Sequence, residues 1–159
     1  MISKYLTMTW TYEGRIINEL HDMPEGTHGF IYKITNGLTG EYYIGKKQVQ
    51  STRKRKFGKK ETAALPDKRM KRYEMVTKES NWFDYRSSNK TVSGWFDKDG
   101  RANPSSNDRL ELKILRFCKT KKSLTYYELQ EQFSHNVLAD ELSLNDNLLG
   151  KFFRKDLDI

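Results

Sequence analysis

The stretch GFIYKITNGLTGEYYIG, residues 29–45, decides how this chain begins to fold. Residues 30–34 (FIYKI) follow the period-two pattern of a strand, and residues 42–44 (YYI) resume a strand-like composition. Between these runs, the pairs Asn-Gly and Thr-Gly provide residue types that tolerate a positive φ, so the chain can reverse there. The stretch therefore predicts a β-hairpin.

The register of this hairpin depends on where the turn lies. If residues 37–38 form its centre, Tyr32 lies directly opposite Tyr43 on one face of the sheet. Gly45 then lies opposite Phe30 and leaves bare backbone beside the two phenols. Such a pair of tyrosines is either part of the core or half of an active site.

Length and charge restrict the possible classes of protein. The 159 residues suit one domain with arms, and the core draws on a 13% share of aromatic residues. The net charge is +8, and residues 46–72 account for the whole excess: they contain 12 lysines and arginines but only Glu61 and Asp67 as acids. So dense a basic cluster predicts a partner with phosphates, whereas the alternative is a solvated loop without a partner.

The remaining composition points to the cytoplasm. No apolar run is long enough to cross a membrane, and the first residues lack the apolar stretch of a signal peptide. The single cysteine, Cys118, predicts a buried core residue with no disulfide. The three histidines show no metal-ligand spacing.

Further along the chain, the pattern predicts an α/β domain. Residues 1–27 are expected to form an N-terminal arm that packs on the domain, and residues 46–72 a basic loop. Apolar spacing predicts a short helix over residues 68–78, a third strand over residues 110–118 and a helix over residues 123–136. We therefore expect a small three-stranded sheet flanked by helices within residues 28–150, followed by a frayed tail over residues 151–159.

Two parts of the hairpin resemble the signature of a known family. The run Phe30-Ile31-Tyr32 is separated by ten residues from Tyr43-Ile44-Gly45, and the two runs are similar to the paired motif of the GIY-YIG endonucleases, with Phe30 in place of the usual glycine. The wider text GFIYKITN…TGEYYIGKK resembles the phage-encoded members related to homing endonucleases of T-even phages. This resemblance covers roughly residues 12–149, and it implies a DNA endonuclease in the cytoplasm of an infected bacterium.

The resemblance also implies a set of site residues. Tyr32 and Tyr43 would orient or deprotonate the attacking water, with Lys46 and Lys47 as a source of positive charge. Arg53, eight residues after Gly45, would hold the scissile phosphate. A phenol ordinarily titrates near 10, so it needs nearby positive charge to act as a base at neutral pH.

Glu128 has two possible roles. Thr125 and Glu128 match a capping box, in which the carboxylate would bond back to the backbone at the start of a helix. The resemblance favours the other role, in which Glu128 is the ligand of Mg²⁺ or another divalent cation such as Mn²⁺, with Glu131 as the alternative ligand. The family also places a supporting asparagine near the end of the domain, and here the candidates are Asn145, Asp146 and Asn147.

The remaining candidates are residues that would bind DNA. Ser87 and Ser88 follow an aromatic cluster and could hold a phosphate, although the cluster could equally be core and turn. The expected basic contacts are Lys46, Lys47, Lys54, Arg55, Lys56, Lys59 and Lys60.

Other functions compete with this reading. A DNA- or RNA-binding module with the same fold but no catalysis would have the same charge. A small basic structural protein of a virion or a ribosome-like particle is a weaker third possibility. The pair Pro66-Asp67 together with Glu111 and Lys113 imitates the Pro-Asp…Glu-x-Lys motif of restriction enzymes. The Glu-x-Lys part of this motif is common by chance. Only the set of Tyr32, Tyr43, Arg53 and Glu128 favours an enzyme over a binding module.

Overall fold

The computed structural model describes residues 9–103 and 109–158, which form two compact units. One unit combines the chain up to Val49 with the chain from Asn81 onward, and the other is Gln50–Ser80. The start of the predicted N-terminal arm, residues 1–8, lies outside the described residues, as do residues 104–108 and 159.

The larger unit contains a mixed sheet of five strands: β1 (Trp10–Tyr12), β2 (Arg15–Ile17), β3 (Gly29–Asn36), β4 (Tyr42–Gln48) and β7 (Leu110–Cys118). Across the sheet they lie in the order β2-β1-β7-β3-β4. The predicted α/β class is confirmed, but the sheet has five strands and not three. The two additional strands come from the predicted N-terminal arm: β1 pairs in parallel with β7, and β2 pairs with β1.

The hairpin of β3 and β4 forms, but its predicted register was wrong. Tyr32 lies opposite Gly45, and Tyr43 lies opposite Ile34. The turn is longer than expected because the Asn36 side chain accepts hydrogen bonds from the two backbone amides at positions 38 and 39. Since the register moved by two residues, Tyr32 and Tyr43 stay on the same face of the sheet.

An irregularity in β7 allows the sheet to pack on both faces. The pairing of β3 with β7 shifts between Ile31 and Tyr32, so that Ile114 and Phe117 both turn toward one face. One core contains Trp10, Phe30, Tyr32, Ile34, Trp82, Leu112 and Ile114, and the other contains Ile31, Ile44, Cys118, Leu124 and Leu148. The buried position predicted for Cys118 is confirmed.

Two short helices and one long helix complete the described elements. They are α1 (Lys59–Ala63), α2 (Lys90–Ser93) and α3 (Lys121–Ser134), with 3-10 turns at Leu20–Asp22 and Arg154–Asp156. Thr120 caps α3 by accepting a hydrogen bond from the Ser123 amide, so the helix begins two residues earlier than predicted. None of the helices in the described ranges is long and apolar enough to span a membrane.

The free edge of β4 is covered by a later part of the chain. Tyr42 exchanges backbone hydrogen bonds with Leu142 and Leu144, and Asn145 holds the next outward-facing residue, Ile44, through its side chain. An uncovered edge would offer unpaired backbone groups to other chains.

The C-terminal segment holds this covering loop in place. The Arg154 guanidinium donates hydrogen bonds to backbone carbonyls of four residues in the loop: Val137, Asp140, Ser143 and Asn145. A small pair of strands, β8 (Asn147–Leu148) and β9 (Phe152–Phe153), leads into it. Residues 151–158 are therefore structured, and the predicted frayed tail was wrong.

The smaller unit is an antiparallel ribbon of β5 (Gln50–Lys56) and β6 (Tyr73–Glu79), with α1 in the connection. Two predictions fail here. More than half of the expected basic loop is regular structure, formed by the end of β4, strand β5 and helix α1. The helix expected over residues 68–78 is mainly strand β6. The apolar spacing of Tyr73 and Val76 fits a helix, but pairing with β5 selects the strand.

Candidate active site

Two of the predicted tyrosines lie together on one face of the sheet at strands β3 and β4. The rings of Tyr32 and Tyr43 are 6.3 Å apart, and Tyr85 lies 6.1 Å from Tyr32. Tyr32 is fully buried, whereas Tyr43 is partly exposed. A Cβ at Gly45 would come within 2.5 Å of the Tyr32 hydroxyl and 2.9 Å of the Tyr43 ring. Position 45 therefore requires glycine, because the two tyrosine side chains occupy the space that a Cβ would need.

The loop between Trp82 and α2 supplies the predicted serines to these phenols. Tyr32 forms a hydrogen bond with Ser87, and Tyr43 forms one with Ser88. Ser87 is buried and has a φ of +78°, which a non-glycine residue rarely adopts. Backbone strain of this kind is frequent at functional sites.

A buried arginine fixes the shape of this loop. Arg86 donates hydrogen bonds to the backbone carbonyls of Phe83, Tyr85 and Gly100. Burial lowers the pKa of Arg86 to about 10, and Asp84 and Asp97 act in the opposite direction. The guanidinium therefore stays charged at neutral pH. It holds the turn that presents Ser87 and Ser88.

The phenols are held in their neutral form. Burial raises the pKa of Tyr32 well above its ordinary value, and Tyr85 raises it further, whereas the hydrogen bond with Ser87 lowers it. Burial also raises the pKa of Tyr43, and the nearby Glu128 carboxylate adds to this effect, whereas the hydrogen bond with Ser88 lowers it. Both tyrosines therefore act as hydroxyls and not as phenolates at neutral pH.

Glu128 lies on α3, at the opposite face of β4 from the phenols but close enough to affect Tyr43. Its carboxylate is 3.7 Å from Lys46 Nζ, and its side chain is 13% exposed. Lys46 also donates a hydrogen bond of 2.9 Å to Thr125 Oγ1. Burial raises the pKa of Glu128, and Lys46 partly offsets this effect. The carboxylate is thus poorly solvated, and Lys46 is the one cation that pairs with it in the described part of the chain.

The capping role considered for Glu128 was wrong. Helix α3 starts at Lys121 with Thr120 as its cap, so Thr125 and Glu128 lie inside the helix and not at its end. The alternative ligand, Glu131, lies elsewhere: its carboxylate is 3.7 Å from His135 Nδ1, and it borders a separate cavity with Tyr12 and Arg116.

The expected electrostatic role of the two lysines after Gly45 is only partly met. Lys46 pairs with Glu128, and Lys47 donates a hydrogen bond to Asn81 Oδ1 and lies 4.1 Å from the Tyr85 ring. Burial lowers the pKa of Lys47. The pKa of Tyr43 is nevertheless raised, chiefly by burial.

Among the three candidates near the end of the domain, Asn145 is the one that contacts the hairpin. Its side chain is buried and bonds to both backbone groups of Ile44: Oδ1 accepts from the amide at 2.9 Å, and Nδ2 donates to the carbonyl at 2.8 Å. Ile44 stands between Tyr43 and Gly45. Asn145 therefore fixes the strand on which the phenol and the glycine lie.

Replacing Asn145 with alanine is expected to lower the free energy of unfolding by about 2–4 kcal/mol, because the buried Ile44 amide loses its partner. Asn147→Ala is the matched control, since Asn147 bonds only to exposed neighbours, and it should cost below about 1 kcal/mol. Urea unfolding of both variants measures the difference. Equal losses would show that the Asn145 side chain does not hold the strand.

The remaining predicted residues belong to the smaller unit. Arg53, Lys54, Arg55 and Lys56 are exposed on β5, and Lys59 and Lys60 are exposed on α1. Arg55 is occupied by two carboxylates: Arg55 contacts Glu61 and Glu74 at 2.6 Å each. Arg53 forms no salt bridge within the described residues, and its role at the phosphate stays a prediction.

Sequence reasoning missed two residues of this arrangement. Tyr85 borders both phenols, and its place in an aromatic cluster gave no sign of that. Gln132 is buried and donates a hydrogen bond of 3.2 Å to the Ile44 carbonyl. It lies one helical turn after Glu128, so its i+4 position was the available signal.

The donors near Glu128 limit how a metal could bind. Among the described residues, no group of three or more histidine, cysteine, aspartate or glutamate side chains is arranged to hold a metal ion. Mg²⁺ commonly binds through one or two carboxylates and keeps several water ligands. A single half-compensated carboxylate such as Glu128 fits that mode of binding.

Comparison with known proteins identifies one family. The family model described as "Putative endonuclease segE, GIY-YIG domain" matches residues 10–153. The comparisons with curated proteins and with solved structures found no significant match.

Proposed function

Because the chain belongs to the segE family of GIY-YIG endonuclease domains, we propose that it hydrolyses DNA phosphodiester bonds with the help of a divalent metal ion. The observation that carries the proposal is the edge of strand β4. There the Glu128 carboxylate lies 3.7 Å from Lys46 Nζ and close enough to the partly exposed Tyr43 phenol to raise the pKa of that phenol.

The phenols position the attacking water. Tyr43 is accessible, and its hydroxyl forms a hydrogen bond with Ser88, so it can orient a water molecule beside a bound phosphate. Tyr32 is buried, and its ring packs beside the ring of Tyr43. Because burial raises the pKa of both phenols, a neutral hydroxyl that orients the water fits the site better than a phenolate base.

Glu128 would hold the metal ion, with Lys46 as the only basic side chain that pairs with it in the described residues. A bound Mg²⁺ or Mn²⁺ would supply positive charge against the negative charge that develops on the leaving oxygen. Glu128 is suited to this role because its carboxylate is only partly neutralised. Lys46 keeps the carboxylate charged before the ion arrives.

Basic side chains would bind the DNA backbone. Arg53 is the proposed contact to the scissile phosphate, because a guanidinium is always charged and can donate two parallel hydrogen bonds. Lys46, Lys47 and the exposed lysines of β5 and α1 would add affinity that does not depend on sequence.

The test is incubation of supercoiled plasmid with the purified protein, with Mg²⁺, with Mn²⁺ and with EDTA. We expect nicked or linear product with either metal ion and none in EDTA. Product in EDTA at the same rate would contradict the metal requirement. A salt-sensitive gel shift without product under any condition would indicate a DNA-binding module that lacks catalysis.

A homing-type role belongs to the same proposal. It requires cleavage at preferred positions, so end mapping of the product should give a few discrete ends. A uniform distribution of ends would contradict a homing role and leave the nuclease activity intact.

A further inference from the structure

The smaller unit is a ribbon with no core of its own. None of the residues 50–80 is buried, although β5 and β6 pair over seven residues each. An isolated two-stranded ribbon is only marginally stable in water. Its side chains are therefore available to a partner on both faces.

The two faces of the ribbon differ in chemistry. One face, which we term the open face, consists of Thr52, Lys54, Lys56, Tyr73, Met75 and Thr77, because residues opposite each other share a side of the sheet. Its only acidic neighbour is Glu79, in the last cross-strand pair. The other face contains Arg55, which contacts Glu61 of α1 and Glu74 of β6.

Arg55 serves the ribbon itself. Its bonds to Glu61 and Glu74 raise its pKa further above its ordinary value, so it stays in these ion pairs. The bond to Glu61 ties α1 to the strand that precedes it. Arg55 is therefore poorly placed to contact phosphate, although the sequence predicted it as a DNA contact.

The open face mixes cations with groups that can contact bases. Lys54 Nζ lies 4.6 Å from the Tyr73 ring, and the hydroxyls of Thr52 and Thr77 are 3.2 Å apart. Met75 is 56% exposed in the middle of this face. A surface that bound only phosphates would need cations alone. Methyl, thioether and hydroxyl groups are the types that read thymine methyls and base edges.

We propose that the open face of this ribbon enters the major groove of duplex DNA and makes binding depend on base sequence. The major groove of B-DNA accommodates a two-stranded ribbon, whereas the major groove of an RNA helix is too narrow for side chains to read. The inference rests on the proposed function only in taking DNA as the substrate. Lys54 and Lys56 lie at phosphates, and Met75 and Thr77 lie at base edges.

Binding is tested by fluorescence anisotropy with the full chain in EDTA, on labelled duplexes of different sequence and on duplex RNA. Lys54→Gln with Lys56→Gln is expected to weaken DNA binding about tenfold or more and to reduce the salt slope by about two. The matched control is Lys98→Gln with Lys151→Gln, which removes the same charge outside the ribbon and should change binding far less. Lys54→Arg with Lys56→Arg should keep the native affinity, because the positive charge is retained.

Base reading is tested by Met75→Ala. The variant should reduce the difference in affinity between duplex sequences several-fold and leave the salt slope unchanged. The major-groove ligand methyl green should compete with the protein, and a minor-groove ligand such as distamycin should not. Equal weakening on all sequences, or equal binding of RNA duplex, would overturn the inference.

The same variants separate this inference from the proposed function. If ribbon variants bind like the control pair while plasmid is still cut with Mg²⁺, the inference fails alone. If ribbon-dependent binding occurs without any cleavage, the proposed function fails and the inference stands.

Discussion

Replacing Glu128 with glutamine is expected to lower the rate of plasmid cleavage by about a thousandfold while DNA binding in EDTA stays within a few-fold of the native protein. Glutamine has the same shape, but it cannot supply the charge that holds a divalent cation. The loss should appear in the cleavage rate at saturating protein. Single-turnover cleavage of a labelled duplex measures this rate directly.

The same substitution should not destabilise the protein. Burial raises the pKa of Glu128, so the folded state binds this proton more tightly than the unfolded chain does. This favourable contribution is complete at low pH and is lost as the pH rises through the raised pKa. At neutral pH the ionised carboxylate therefore costs stability, and Glu128→Gln should unfold at an equal or higher temperature.

Glu131→Gln is the matched control, since Glu131 lies on the same helix and pairs with His135 instead of Lys46. It should cut at nearly the native rate. If Glu131→Gln abolished cleavage and Glu128→Gln did not, the metal ligand would be misassigned. A lower thermal midpoint for Glu128→Gln would show that the ion pair with Lys46 is structural.

Replacing Gly45 with alanine is expected to lower the free energy of unfolding by about 3 kcal/mol and the cleavage rate by about a hundredfold. The added Cβ would lie 2.5 Å from the Tyr32 hydroxyl and 2.7 Å from Tyr32 Cζ. Tyr32 cannot retreat, because Trp10 packs against it at 5.4 Å and Tyr85 at 6.1 Å. Alanine in a strand interior is otherwise favourable by about 0.5–1 kcal/mol, so the expected sign is the reverse of the usual one.

Gly58→Ala is the control, because a Cβ there has only the Glu61 carboxylate within 4 Å, at 3.9 Å. It should change the free energy of unfolding by about 1 kcal/mol or less. Combining Gly45→Ala with Tyr32→Phe removes the closest atom, so the pair should recover part of the stability without the activity. Urea unfolding and single-turnover cleavage measure both quantities. Equal effects of the two glycine substitutions would rule out the close approach.

The sequence predicted the central hairpin and the third strand because their apolar alternation is strong. It could not predict the register of the hairpin. The Asn36 side chain lengthens the turn by accepting a hydrogen bond from the Leu38 amide, and the pattern of apolar residues does not reveal such a bond. The predicted register was wrong by two residues, so each side chain still lies on the predicted face of the sheet. The helix expected over residues 68–78 failed because Met70, Tyr73 and Val76 fit a helical spacing, while the pairing with β5 that selects a strand is a long-range contact.

In the candidate site, too, patterns among neighbouring residues could be predicted, whereas contacts between residues far apart in the sequence could not. Local sequence favoured a capping role for Glu128, but the cap that forms uses Thr120, which the pattern gave no reason to prefer. Choosing among Asn145, Asp146 and Asn147 required knowing which side chain reaches Ile44, about one hundred residues earlier. The spacing of the two tyrosines was enough to place them on one face, whereas Tyr85 entered the cluster only through tertiary packing.

The bonds from Arg154 to the loop that contains Asn145 set an order of events during synthesis. Strand β4 is translated early, but its outer edge is completed by residues 142–145, and that loop is held by Arg154. A nascent chain still on the ribosome therefore has its tyrosines and Glu128 before it has the edge that fixes them. Under the proposed function, such a chain would lack an ordered site until the C-terminal segment has emerged and docked.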